Sequence, residues 1–411
     1  MLTEEFLTFW ESIIPFNAFY LKKLDVRPET ISKSWIRDNF YSLPFTTKKD
    51  LQDNQLDYPP YGNFHHLNSC NYSRFHQTSG SSGKPLFFLD SNAGWEWLLQ
   101  NWLKIFEIAG IDKDDRLFFP FSFGPFLGFW TAFEASYKVG CLSFPGGGLS
   151  SEARLALIQN QKINVIFTTP SYALRLGEVS KSLGIDLKKL KLKKLILAGE
   201  PGANISATRL RIENHWGPIV VDHHGMTETG PVTIECPKTS GILHIIENAF
   251  IPEIIDPKTN KILEYGSTGE LVLSSSGRVG CPLLRYKTGD IVNLNHQNCS
   301  CGFKGFSLFG GILSRADEMI FFKGNNIYPT ALQNTLHAIN GVIDFKITFD
   351  NSAMASSLTI EIETDSTAPD SLKKLVEQEI QAKFLFKPIV KILPEGTLPK
   401  QELKSKRFIK N

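Results

Sequence analysis

The chain has 411 residues, past the roughly 250–300 at which a single hydrophobic core stops growing, so two or three packed domains are expected and a lone binding module is excluded. Hydrophobic residues make up 42% and charged residues 21%, ordinary globular usage that rules out a disordered tail or a fibrous repeat. Lys and Arg number 44 against 42 Asp and Glu, a formal charge of +2 that supplies no general field for nucleic acid.

The stretch from Met1 to Lys23 mixes Glu4, Glu5 and Glu11 with Phe and Trp. It has no basic segment ahead of an apolar run, unlike a secretory signal, and reads as folded and cytoplasmic. Leu117 to Phe133 is the most apolar stretch, but Pro120, Gly124, Pro125 and Gly128 interrupt it. A bilayer needs about 20 uninterrupted apolar residues, so no membrane segment is expected.

Between about 150 and 235 helices alternate with short apolar strands: Glu152–Gln161, Ile163–Phe167, Ser171–Leu183, Leu195–Leu197, Ala207–His215 and Ile219–Val221. This alternation implies a parallel sheet covered on both faces. Each strand runs into a polar turn: Thr168-Thr169-Pro170, Gly199-Glu200-Pro201, and His223-His224-Gly225-Met226-Thr227-Glu228. Open α/β sheets bind ligands at such carboxyl ends, so the three loops define one candidate site.

From Glu253 to Leu294 short strands with Gly and Pro turns indicate a β subdomain, and Gly310-Gly311 follows as a hinge region. Beyond Ser314 strands are predicted near Phe345–Phe349, Leu358–Glu363 and finally Ile389–Leu393, with a helix near Ala368–Phe384. The predicted fold is α/β: a large N-terminal domain, residues 1–313, with parallel sheets and a β subdomain at about 236–310, plus a small mobile α+β C-terminal lid domain, residues 314–411.

Thr78-Ser79-Gly80-Ser81-Ser82-Gly83-Lys84-Pro85 combines glycines, hydroxyls and a lysine, a donor set suited to phosphate. A Walker loop needs four residues between its glycine and the Gly-Lys pair; here two separate Gly80 from Gly83, which argues against a P-loop enzyme. Downstream, in order, stand Gly225-Met226-Thr227-Glu228, Arg285-Tyr286-Lys287-Thr288-Gly289-Asp290, Ser314-Arg315-Ala316-Asp317-Glu318, Lys323 through Pro329, and Leu398-Pro399 through Lys404.

This ordered set resembles the AMP-forming adenylate-forming superfamily of acyl- and aryl-CoA synthetases, adenylation domains and luciferases. Thr169-Pro170-Ser171-Tyr172, Gly199-Glu200-Pro201 and Leu284-Arg285-Tyr286 are similar in style to the short phenylacetate–CoA ligase group, and the resemblance runs from Thr78 to Lys404. It implies two half-reactions: a carboxylate and MgATP give acyl-AMP and pyrophosphate, then a thiol displaces AMP.

The resemblance also implies roles. Thr78, Ser79, Gly80, Ser81, Ser82, Gly83 and Lys84 would hold the leaving pyrophosphate, Glu228 would direct Mg²⁺ and Thr227 would contact the α-phosphate. Asp290 would accept the ribose hydroxyls and Arg315 would reach ribose or phosphate. Gly199, Glu200, Pro201, His223, His224 and Gly225 would complete the nucleotide site. Asp317 takes the place of the pivot on which the small domain turns, and Lys404 that of the lysine bridging carboxylate and phosphate during adenylation.

Three positions depart from the family pattern: His224 stands for the usual adenine-stacking tyrosine, Ser314 for the glycine before the arginine, and Leu403 for the glycine before the lysine. An imidazole still stacks on a base, whereas Leu403 removes backbone freedom.

Phe121, Phe123 and Phe126 suggest a carboxylate pocket for an aromatic or otherwise apolar acid. The thiol acceptor is CoA or a carrier-protein thiol. A degenerate relative that binds nucleotide without turnover is the non-enzyme alternative, and a homodimer is also left open. Six cysteines are too few for a disulfide framework. Cys236, His244, Cys299 and Cys301 instead form an S₃N set suited to structural Zn²⁺, with His296 the alternative nitrogen ligand. The basic run Lys188–Lys194 lacks interleaved aromatics and reads as a solvated lead-in to a strand, so neither nucleic acid nor membrane is expected as a partner.

Overall fold

A computed structural model describes residues 2–78, 84–323, 325–350, 357–365, 368–399 and 407–410. The chain forms two compact units. One comprises Met1–Leu149, Val165–Phe167 and Val221–Gly311, and the other Ser150–Asn164, Thr168–Val220 and Ile312–Asn411.

The first unit opens with helices Glu4–Ile13, Ala18–Leu24, Lys33–Asn39 and Lys48–Asp57. Each starts at a residue whose side chain accepts a backbone N–H of the first turn: Thr3, Asn17, Ser32 and Thr47. Their apolar faces bury Phe6, Trp10, Tyr20, Ile36, Phe40 and Leu51 in one cluster with Leu283, Leu284 and Tyr286. Trp10 Nε1 donates to Ser275 O at 2.9 Å, and Tyr20 OH accepts from Leu284 N at 2.8 Å.

Arg285 is the pin of this cluster. It sits at φ +47°. Its guanidinium makes a two-pronged pair with Glu253 (3.0 and 2.7 Å) and donates to the carbonyls of Tyr41 and Leu43. The N-terminal segment is therefore core, integral to the large sheet rather than an appendage.

That sheet has six strands in the order Thr233–Glu235, Ile242–Ile245, Phe306–Arg315, Tyr286–His296, Thr268–Ser275, Phe250–Ile255. Thr233–Glu235 with Ile242–Ile245, Ile242–Ile245 with Phe306–Arg315, Phe250–Ile255 with Thr268–Ser275 and Thr268–Ser275 with Tyr286–His296 all pair antiparallel, as in the β subdomain expected from the turn-rich sequence. A separate antiparallel pair, Tyr72–Gln77 with Phe87–Ser91, brings the ends of the Ser/Gly loop together. Arg116–Phe119 pairs in parallel with Leu142–Pro145 and with Val165-Ile166. The helix Asn92–Ala109, ended by Gly110 at φ +68°, buries Trp102 against Phe129 and Phe167.

In the second unit, helices Ser151–Asn160, Pro170–Ser182 and Ser206–Trp216 accompany the strand Lys194–Leu197. They fall within a residue or two of the predicted positions. Leu195 N donates to Ile219 O and Ala198 N to Thr168 O, so this strand is flanked by the two strand ends expected beside it.

The C-terminal sheet has the order Ile389–Pro394, Ser357–Thr364, Asp344–Asp350, Phe408–Lys410. Its central pair is antiparallel and both outer strands run parallel to their neighbours. Helix Pro369–Phe384 matches expectation. The expected last strand, Ile389–Leu393, is not the last: Phe408–Lys410 follows and pairs with Ile347–Phe349. Helix Pro329–Ala338, with Pro at its first position, was also not anticipated. It lies beside Ser206–Trp216, joined by Thr208 Oγ1 to His337 Nδ1 (2.6 Å) and Ala207 N to Asn334 Oδ1 (3.0 Å). No helix among the described residues is long and apolar enough to cross a membrane.

Candidate active site

Thr78 directly follows the strand Tyr72–Gln77 and closes the loop on itself: its N–H donates to Leu86 O and its Oγ1 accepts from Leu86 N at 3.0 Å. The hydroxyl expected on pyrophosphate thus holds the loop ends together in this structure. Lys84 is exposed at the far end, and its carbonyl accepts from Gln52 Nε2 at 3.0 Å. Ser79, Gly80, Ser81, Ser82 and Gly83 lie outside the described residues, as do Leu403 and Lys404.

Gly225-Met226 and Gly230-Pro231 pair antiparallel, so Thr227, Glu228 and Thr229 form the turn between them. Gly230 lies at φ +81°, and a Cβ there would meet Leu98 Cδ2 at 2.2 Å, so a side chain at this position is strained and displaces Leu98. Immediately before this hairpin, His224 Nε2 lies 3.0 Å from Asp290 Oδ2. The expected adenine-side histidine and the expected ribose-side carboxylate are therefore direct partners. The other ring nitrogen of His224, Nδ1, is buried and has no hydrogen-bond partner among the described residues.

His223 is buried against Trp102 (ring centroids 4.5 Å apart), and its Nδ1 lies 2.5 Å from Thr233 O, which requires Nδ1 to carry the proton. Burial pushes its pKa down to about 3. Burial likewise takes His65, which bridges Tyr61 O and Leu89 N, down to about 4. Both stay neutral in the fold, whereas in the unfolded chain they gain protons below about pH 6.5. Stability is therefore fully present above that pH and falls as the pH drops, by up to about 2.7 kcal/mol per pH unit for the pair. A denaturation midpoint that is flat between pH 7 and 5 would contradict this.

Glu228 is only 7% exposed, and its Oε1 lies 3.5 Å from Lys48 Nζ, at the start of helix Lys48–Asp57. A buried carboxylate beside one ammonium is an anionic oxygen donor already sharing its place with a cation, which fits a Mg²⁺-directing group. Sequence reasoning missed Lys48, since nothing in Thr47-Lys48-Lys49 marks it apart from its neighbours. The backbone carbonyls of Thr227 and Glu228 both accept from Arg278 Nη1, at 2.9 and 2.7 Å. Burial alone would raise the pKa of Asp90, but the adjoining Arg278 guanidinium outweighs it and holds the carboxyl far below the usual range.

Phe121 and Phe123 pack with each other and with Phe129, Trp130 and Phe133, so much of their area serves an aromatic cluster. Of the 121–126 loop, Gly124 lines a cavity of about 290 Å³, whose other walls are Arg74, Phe75, His76, Trp95, Trp130 and Glu134. Trp95 Nε1 donates to Glu134 Oε2 at 2.7 Å, and its ring stacks on His76 at 5.3 Å. Phe126 is half-buried.

In the second unit Gly199 turns at φ +93°. Glu200 Oε1 accepts from Ser171 N at 2.7 Å, tying the Gly199-Glu200-Pro201 turn to the first turn of helix Pro170–Ser182. Arg315 Nε donates to Asp317 Oδ1 at 3.2 Å within one turn.

The four expected metal ligands converge. Strand Ile242–Ile245 carries His244, Cys236 lies just past the paired strand, and Cys299 and Cys301 sit in a turn closed by Cys299 N to Phe303 O. The ligand atoms all lie within 4.8 Å of one another. Cys236 and Cys299 sulfurs are 3.6 Å apart, and His244 Nε2 is 3.2 Å from Cys301 Sγ. Tetrahedral Zn²⁺ with bonds of about 2.3 Å to sulfur and about 2.0 Å to nitrogen needs such edge lengths, so the residues fit the ion. Ser307 Oγ lies 2.8 Å from His244 Nδ1 and orients the ring, and burial lowers its pKa to about 4, leaving the neutral imidazole a metal requires.

Residues 75–280 match the family described as AMP-binding enzyme, and residues 324–411 match the AMP-binding enzyme C-terminal domain. The chain belongs to the AMP-binding enzyme family.

This AMP-binding enzyme is 30% identical over 332 residues to the phenylacetate-coenzyme A ligase of Pseudomonas putida, covering 79% of this chain and 72% of the relative. It is 27% identical over 383 residues to the Escherichia coli phenylacetate-coenzyme A ligase, covering 89% and 84%. Its fold is that of 2-hydroxyisobutyryl-CoA ligase in complex with 2-HIB-AMP: TM-score 0.90, 22% identity, 98% of this chain and 88% of that one. The α/β architecture with a C-terminal domain, expected from the alternation of helices and strands and the α+β pattern beyond Ser314, is the architecture found.

Proposed function

We propose that this AMP-binding enzyme joins an aromatic or other apolar carboxylic acid to CoA through an acyl-AMP intermediate. The reading is carried by the placement, in one compact unit, of the Thr227–Glu228 turn with Lys48 against Glu228, together with Asp290 held by His224. It is supported by the phenylacetate-coenzyme A ligases among its relatives.

In the first half-reaction a carboxylate oxygen attacks the α-phosphorus of ATP and pyrophosphate leaves. Two anions meet, so catalysis consists of holding them in line and offsetting charge. Glu228 would hold the Mg²⁺ of MgATP, and that ion neutralises phosphate charge. Thr227 would donate to the α-phosphate, Lys48 and Lys84 would add positive charge, and Asp290 would accept the ribose hydroxyls. In the second half-reaction the CoA sulfur attacks the acyl carbonyl, AMP leaves and the thiol proton is lost.

The test is acid-dependent exchange of pyrophosphate into ATP over a library of carboxylic acids, followed by thioester detection with CoA. An apolar aryl acid is expected to support both. Exchange with no acid rejects the enzyme reading, and exchange without any CoA thioester moves the acceptor to a carrier-protein thiol.

Both half-reactions use the same carbonyl, so Lys404 and the thiol must take turns there. We assign the pivot to Asp317, which lies in a turn directly after the strand Phe306–Arg315. Proline at 317 fixes φ near about −65° and removes a donor, so Asp317→Pro is expected to impair one half-reaction at least about tenfold more than the other. Wild-type rates in both would place the pivot elsewhere.

Cys236, His244, Cys299 and Cys301 would hold one structural Zn²⁺ that clamps the edge of the six-stranded sheet. Metal analysis of protein purified without chelator is expected to find about one zinc per chain, and chelation to lower Tm by about 5 °C or more. Zinc-free protein whose Tm ignores chelator would reject the site.

A further inference from the structure

Arg278 is fully buried, yet the nucleotide roles described above do not include it. Its Nε and Nη2 grip the two oxygens of Asp90 at 2.7 Å each. Its Nη1 donates to two backbone carbonyls, Thr227 O at 2.9 Å and Glu228 O at 2.7 Å. Four of the five N–H groups of the guanidinium are thereby used, in a planar fork that a lysine does not reproduce.

The partners are as telling as the count. Asp90 is fully buried on the strand Phe87–Ser91, the strand that returns from the Ser/Gly loop beginning at Thr78. Thr227 and Glu228 are the two turn residues assigned to the α-phosphate and to Mg²⁺. One side chain therefore ties the backbone of the metal-directing turn to the strand that leaves the phosphate loop. The segment bearing it is itself locked: Ser91 Oγ donates to Val279 O at 2.8 Å, and a Cβ at Gly94 would meet the same carbonyl at 2.6 Å.

We infer that Arg278 is the positioning residue of the Thr227–Glu228 turn, setting the direction of the Glu228 carboxylate and hence the affinity of this site for Mg²⁺ as MgATP. The inference rests on the reading of Glu228 as the Mg²⁺-directing group. A carboxylate held by a turn is only as well aimed as the turn's backbone, and outer partners of metal ligands commonly set metal affinity by about 10–100-fold. The hydrogen bonds of Arg278 go to Asp90 and to the carbonyls of Thr227 and Glu228, so it acts through the carbonyls it holds.

The test uses equilibrium binding, which needs no turnover. Arg278→Met alone would strand the buried Asp90 carboxylate, so it is combined with Asp90→Leu, an apolar pair of similar volume. ATP affinity is measured by calorimetry on the full chain, in excess Mg²⁺ and in EDTA. The wild type is expected to bind ATP more tightly with Mg²⁺. The double variant is expected to lose about tenfold of that Mg²⁺-dependent gain while its affinity in EDTA stays within twofold. Arg278→Lys keeps the charge but not the fork and is expected to fall between them, which serves if the double variant does not fold.

A Mg²⁺-dependent gain retained within twofold overturns the inference. So does an equal loss with and without Mg²⁺, the signature of a merely structural pair, or a wild type with no Mg²⁺-dependent gain. Acid-dependent exchange, measured separately, decides whether the ligase reading itself stands.

Discussion

Lys404→Ala is expected to lower acid-dependent pyrophosphate exchange by about 10²–10³-fold while leaving thioester formation from supplied acyl-AMP and CoA within a few-fold of wild type. The asymmetry follows from where charge is concentrated. Adenylation presses a carboxylate against a triphosphate, and a cation placed between them stabilises the transition state more than the separated substrates. Thiol attack on acyl-AMP has no such meeting of anions, and AMP leaves already formed. Lys400 and Lys406 flank Lys404 and provide the controls, since a loss that follows either of them would move the role along the segment. Equal loss in both half-reactions for Lys404→Ala would reject the assignment.

Glu228→Gln is expected to reduce exchange by about 100-fold and to raise the Mg²⁺ concentration needed for half-maximal rate. Glutamine keeps the shape of the side chain and its burial but removes the anionic oxygen that a hard cation prefers. It also leaves the Lys48 ammonium, 3.5 Å away, without its partner. The two effects separate experimentally. If Glu228 acts on metal, excess Mg²⁺ recovers part of the lost rate. If it serves only as the counter-charge of Lys48, excess Mg²⁺ recovers none of the lost rate, and the metal assignment fails.

The alternation of helices and strands between about 150 and 235 was legible because hydrophobic period and helix caps are local properties: Ser150 and Thr169 each accept the N–H three residues on. The zinc-fitting set was legible too, because Cys and His seldom gather by chance and Cys-Ser-Cys-Gly already makes a turn. Motif order named the family before any contact was known, since order along a chain survives whatever the packing does.

Other features were invisible for an equally physical reason. Lys48 meets Glu228, Arg278 meets Asp90, and Arg285 meets Glu253 across long stretches of sequence, and a charged residue looks the same in sequence whether it is solvated or buried. Phe408–Lys410 has too few residues for a recognisable period, and becomes a strand because Ile347–Phe349 offers an edge to pair with. Phe121 and Phe123 show the limit most directly: an aromatic residue has the same composition in a pocket wall as in a cluster, and their contacts with Phe129, Trp130 and Phe133 appear only in the folded chain. The sequence by itself determined the elements, their order and the donor types available for chemistry. Which charges are buried, which carbonyls they hold and where the Thr227–Glu228 turn points were decided by tertiary structure, because these depend on partners that only folding brings within bonding distance.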